Sequence, residues 1–149
     1  MNYLNDKHFL KNLQEQKNIK TRIKIYLLNF DESIKETIEG KTNQCNINLD
    51  GNSVIRRTCS LNLSGNKDLG FHSKWWTINN KIKVEIGIVN EIDSTYPPII
   101  WMPLGVYLID NFTYHENLQN ITINITGKDK GAQLNGMAGG TIGHTVILD

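Results

Sequence analysis

Residues Ile99 to Phe112 read IIWMPLGVYLIDNF, and Asn120 to Lys130 read NITINITGKDK. In the second stretch Ile121, Ile123 and Ile125 alternate with Thr122, Asn124 and Thr126. A period of two places alternate side chains on opposite faces of a pleated strand, so this is a strand with one apolar face. Gly105 to Asp110 has the same character, and a polar connection around His115 to Asn117 joins the two as an antiparallel pair. The chain after Gly127 is glycine-rich, with LNGMAGG ending at Gly140, and is expected to be irregular.

The pattern extends upstream. Lys81 to Val89 directs Ile82, Val84, Ile86 and Ile88 to one face and Lys81, Lys83, Glu85 and Gly87 to the other. Thr21 to Leu28 alternates Ile23, Ile25 and Leu27 against Arg22, Lys24 and Tyr26. Asn46 to Leu49 runs into Asp50-Gly51, a tight hairpin signal, and Val54 to Leu63 is the expected return strand. Trp75 to Ile78 reads as a strand turning at Asn79-Asn80, and Pro97-Pro98 closes the loop that follows Val89. Asp31 to Glu39 fits either a short helix or a strand. Leu4 to Gln16 is the one good helix, with Phe9, Leu10 and Leu13 on one face and Asn5 or Asp6 as its cap. Many short strands and one helix predict a mainly β (α+β) domain over residues 1–149. The expected form is an antiparallel barrel or sandwich of about six to eight strands, with the N-terminal helix covering an open side.

Size and charge narrow the function. A single domain of 149 residues buries roughly 70% of its unfolded surface, enough for a core without staples. The formal net charge is +1 and the charges are scattered, so no basic stripe marks a nucleic-acid interface. No apolar run approaches the roughly 18 residues of a membrane helix, and MNYLNDKHFLKNLQEQ lacks the apolar centre of a signal peptide. Synthesis in the cytoplasm follows as the expectation, with Cys45 and Cys59 as reduced thiols.

No chemical motif survives inspection. Gly40-Lys41-Thr42 ends like a phosphate-binding loop, but Lys35 stands where its first glycine is needed, and a strand follows where a helix should. His8, His72, His115 and His144 are far apart and lack ligand spacing. Asp31-Glu32 and similar carboxylates fall in loops. The expectation is therefore a protein that is not an enzyme and has no catalytic, cofactor or metal site. The aromatics are more informative. Adjacent Trp75 and Trp76 point to opposite faces of a strand, so one belongs to the core and one to the surface. Aromatic side chains are enriched at interface anchors, which makes Trp76, Tyr96 and Trp101 the candidate subunit-interface residues.

The succession GNSVIRRTCSLNL (Gly51 to Leu63), IIWMPLGVYLIDNF and ITGKDKGAQLNGMAGG (Ile125 to Gly140) resembles the N-terminal region of bacteriophage baseplate and tail-hub proteins. The opening helix followed by TRIKIYLLNF is similar too, so the resemblance spans most of the chain. The most specific part is Trp-x-Pro-x-Gly before a strand, then Asp-Lys ahead of Leu-Asn-Gly and Gly-Gly. Gly131-Ala132 departs from the pattern, since bulkier apolar residues are expected after Asp129-Lys130. The resemblance implies a β-barrel related to tail-tube subunits. It also implies a structural virion protein that forms a ring about the tail axis, trimeric in the family, and connects tube to tip. Partners would be further copies of the chain and the tube, spike or baseplate proteins. Family hubs are longer, which leaves a fragment, a short version or one piece of a split hub as readings. The alternative function is a carbohydrate- or receptor-binding β-module of a phage tail, using exposed tryptophans as sugar platforms.

Overall fold

The computed structural model describes residues 7–38, 41–53, 55–65, 77–118 and 120–134. Its elements run α1 (Lys7–Glu15), β1 (Thr21–Leu28), β2 (Ile34–Ile38), β3 (Lys41–Leu49), β4 (Arg57–Gly65), β5 (Lys81–Val89), β6 (Ile99–Glu116), β7 (Ile121–Lys128) and α2 (Gly131–Leu134). The seven strands form one sheet in the order β2-β1-β5-β6-β7-β4-β3, and every neighbouring pair is antiparallel. The mainly β architecture is as the alternation predicts, and the segment 31–39, ambiguous in sequence, contributes the strand β2.

The sheet is neither a sandwich nor a sealed barrel. It curls until Cα atoms of β1 and β3 come within 8 Å of one another, yet no ladder joins them. The reason lies in pairing lengths. All of β1 pairs with β5, but β2 is five residues long and pairs only with residues 25–28 of β1. The chain then leaves for β3, which pairs with β4 at the far end of the sheet order. Among the described residues the seam is thus not closed by a continuous ladder.

Inward-facing residues meet inside the curl. Ile25, Leu27, Leu61, Val84, Tyr107 and Ile123 are each at most 1% exposed and belong to one apolar cluster. A second, smaller cluster joins Phe9 of α1 to Ile88, Ile100 and Met102, so the helix covers one end of the inner face. The helix face differs from expectation at one position. Leu13 is 40% exposed, while Asn12 is buried and its side-chain amide donates to the His8 carbonyl at 2.9 Å.

Three local corrections follow. The hairpin after β3 is not a two-residue turn at Asp50-Gly51. Its loop covers residues 50–56, closed by the Asp50 N–H on the Arg56 carbonyl at 2.8 Å, because Asp50 Oδ1 is drawn to the Asn52 N–H. Thr77 and Ile78 are not in a strand; they lie in a turn with Asn79 at φ 71°, and that turn feeds β5. The segment after Gly127 is not wholly irregular, since residues 131–134 form α2. There Asp129 Oδ1 accepts the Gly131 N–H at 2.9 Å, and Ala132 is 3% exposed, so a small side chain suits the position.

The Trp-x-Pro-x-Gly signal marks an irregularity in β6. Val84 pairs with Gly105 and Glu85 with Pro103, which leaves Leu104 as an extra residue. Such a bulge accommodates a proline, which has no N–H for the ladder. Gly105 takes φ +143°, a conformation that residues with a Cβ rarely adopt. The hydroxyl of buried Tyr107 donates to the Leu104 carbonyl at 3.1 Å and fastens the bulge from inside.

Candidate functional site

The outer face of β1, β5 and β6 carries a compact group of cations, aromatics and one carboxylate. Alternation places Lys24 and Tyr26 of β1 on that face, with Lys83, Glu85 and Gly87 of β5 beside them. Register sets Lys24 opposite Glu85, Tyr26 opposite Lys83, and Gly87 opposite Trp101 of β6. The Lys24 ammonium lies 4.1 Å from the centre of the Trp101 ring and 5.9 Å from that of Tyr26. Lys83 lies 5.5 Å from the Tyr26 ring and 2.6 Å from Glu85 Oε1, while the Tyr26 hydroxyl donates to Glu85 Oε2 at 3.1 Å. Glu85 is only 9% exposed, and its two carboxylate oxygens are held by the Lys83 ammonium and the Tyr26 phenol.

Trp101 is half-buried. A Cβ at Gly87 would sit 2.8 Å from two carbons of its six-membered ring, so the indole packs directly on backbone at that point. The group combines a half-buried indole with a cationic border of Lys24 and Lys83. It holds no nucleophile beside a base. With Lys24 over the ring, stacking a sugar there would first require moving an ammonium.

The other candidates have different fates. Tyr96 is 39% exposed and stacks on His8 of α1 with ring centres 3.6 Å apart. It therefore ties the loop before β6 to the helix. That loop is organised by Asn90, whose Oδ1 accepts the N–H groups of Ile92 and Asp93 and whose amide donates to the Asp93 carbonyl at 2.7 Å. Trp75 and Trp76 lie outside the described residues. Tyr96, five residues before Trp101 in the chain, thus contacts His8. Lys24, Tyr26, Glu85 and Gly87 join Trp101. A glycine inside an otherwise strong strand signals close approach of another group, and Gly87 was the legible clue.

Elsewhere chemistry is sparse. Among the described residues no group of three or more His, Cys, Asp or Glu is arranged to hold a metal ion. Lys41 and Thr42 begin β3 and do not open a helix, which removes the phosphate-loop geometry. Cys45 and Cys59 are free thiols, and burial followed by the neighbouring Cys45 pushes Cys59 up to about 12. Asp129 serves structure: Oδ2 accepts the Arg57 N–H at 2.9 Å. Lys130 pairs with Glu32, whose carboxyl this contact holds below its ordinary value. Among the described residues no helix is long and apolar enough to cross a membrane.

No family model matches the chain, and no curated protein matches it. Among solved structures, a chain in the lidless PdpA-VgrG complex is distantly similar. The identity is 12% and the TM-score 0.39, over 79% of this chain and 21% of that one. The protein described here therefore spans about a fifth of the length of the chain it matches.

Proposed function

We propose that this chain is a structural component of a bacteriophage tail, placed in the baseplate or hub, and that it does no catalysis. The observation that carries the reading is the Trp101 patch. An indole seated on Gly87 and bordered by Lys24, Lys83 and Tyr26 has the composition of an interface anchor, with charge at its rim. The sequence resemblance supplies the setting: copies around the tail axis, three-fold by analogy with the family, in contact with tube, spike or other baseplate proteins in the virion. The carbohydrate-binding alternative is weaker for Trp101, because Lys24 already occupies a face of its ring.

Size-exclusion chromatography with light scattering tests the proposal, using the wild-type chain alone and with tube and spike proteins of the same tail. Assembly is expected, and Trp101→Ala is expected to lose it while keeping its unfolding transition. A chain that stays monomeric with every partner would end the proposal.

A further inference from the structure

The seam presents two strand edges to the same space. Residues 21–24 of β1 pair with β5 on one side, and β2 reaches only residues 25–28 on the other. β3 pairs with β4 along its length and, among the described residues, is the terminal strand of the sheet. Between these edges opens a cleft of about 670 Å³. Its floor is apolar, formed by Ile23, Cys45, Ile47, Ile86 and Leu104, all half-buried. Thr21, Thr42, Asn43 and Gln44 line the rim, and Arg22 is the charged side chain among the described lining residues.

Backbone N–H and C=O groups on a strand edge template pairing with another strand, and proteins blunt such edges with charges, prolines or bulges. The edge of β3, KTNQCNINL, has no proline and no charge after Lys41, and its one register shift lies at its start, between Thr42 and Gln44. The inward row of β3 also runs past the cleft. Cys45 and Ile47 are half-buried, and Leu49 is 69% exposed. A strand laid beside β3 at the usual spacing of about 4.8 Å would set alternate side chains over that row.

We propose that this seam receives an extended strand from a different protein, apolar at alternate positions and carrying a carboxylate toward Arg22. Main-chain hydrogen bonds to β3 supply affinity, the apolar floor selects the register, and Arg22 selects charge. A second copy of this chain fits less well. Its other terminal strand, β2, has five residues against the nine of β3 and places Lys35 within its short span. The inference rests on backbone edges and not on the Trp101 patch, so it stands or falls separately from the tail assignment.

Hydrogen exchange on the full chain tests it, with a short end-blocked peptide alternating valine and threonine and bearing one aspartate as the probe. The peptide is expected to slow exchange of amides in residues 42–49 about tenfold or more, with little change in β5. A peptide N-methylated on the edge that would pair should give no protection. Lysine in place of aspartate should weaken binding, and Arg22→Glu should reverse that preference. Four results would overturn the proposal: β3 amides as protected as β5 before peptide is added, equal binding of the N-methylated peptide, protection confined to another element, or β3 protection that rises with protein concentration alone.

Discussion

Gly87 of β5 and Trp101 of β6 are directly paired, and the glycine leaves the space that the indole fills. A methyl group at position 87 would meet Ile99 Cγ2 at 2.6 Å as well as the ring at 2.8 Å. Gly87→Ala is therefore expected to destabilise the fold by about 1–3 kcal/mol through overpacking. The double variant with Trp101→Ala should recover part of that loss and not all, because Ile99 remains. Denaturant unfolding of the two single variants and the double variant measures the coupling.

The bulge at Leu104 makes a second prediction. Tyr107→Phe removes the hydroxyl that holds the Leu104 carbonyl and should cost about 1 kcal/mol. Gly105→Ala forces a side chain onto φ +143° and should cost about 1–3 kcal/mol. If thermal or urea unfolding finds both substitutions silent, the bulge is not fastened as described.

Alkaline pH should weaken the fold. Burial pushes the Tyr107 phenol from 10.0 up to about 12, and burial together with Cys45 pushes the Cys59 thiol from 9.0 up to about 12. Both raised values favour the protonated, neutral forms in the folded chain. The unfolded chain releases these protons first, so stability is complete below about pH 9 and falls as pH rises toward about 12. The urea midpoint followed across this window should drop, and Tyr107→Phe should flatten the part above pH 10.

The same burial governs thiol reactivity. Cys59 is 3% exposed, whereas Cys45 is half-buried. Under native conditions a thiol reagent at pH 8 should modify Cys45 first and reach Cys59 only on unfolding. Mass spectrometry of the labelled peptides gives the order, and equal rates would contradict the packing of Cys59 against Gly127.

A polar ladder crosses the outer face of four strands. Asn43 donates to Asn62, Asn62 to Asn124, and Asn124 to Thr113. Asn62→Ala breaks two of these links at once on an accessible surface. The expected loss is roughly 0.2–1 kcal/mol, the scale of a cross-strand pair, read as a small shift of the unfolding midpoint.

Much of this architecture is legible in side-chain alternation. β1 and β5 have the bounds that their period-two patterns predict, and β7 differs from its expected span only at the ends. Alternation works because a one-residue slip would turn every isoleucine of these strands toward water. Turns were less legible. Asp50-Gly51 has the chemistry of a two-residue turn, but side-chain capping by Asp50 widens the loop. Leu13 is expected on the buried helix face, yet Asn12 is the buried residue and its side-chain N–H donates to the His8 carbonyl one turn back.

The candidate site was legible only in part, because a face can be assigned locally and a neighbour cannot. Trp101 stands out by type, but the partners that give it a role come from strands far away in the chain. Lys24 and Tyr26 reach it through the pairing of β1 with β5, and Gly87 through the pairing of β5 with β6. Tyr96 was equally conspicuous, and tertiary packing spends it on His8.

By itself the order of residues determined the strongly alternating strands β1, β5 and β7 and which of their faces turn inward, since both follow from contacts within a few positions. Only the tertiary structure decided that the sheet curls without sealing, that a bulge sits at Leu104, and that, among the described residues, β3 is left with an open edge beside Arg22. These depend on how many residues of β1 the short β2 can cover, a matter of pairing between distant segments that no local pattern encodes.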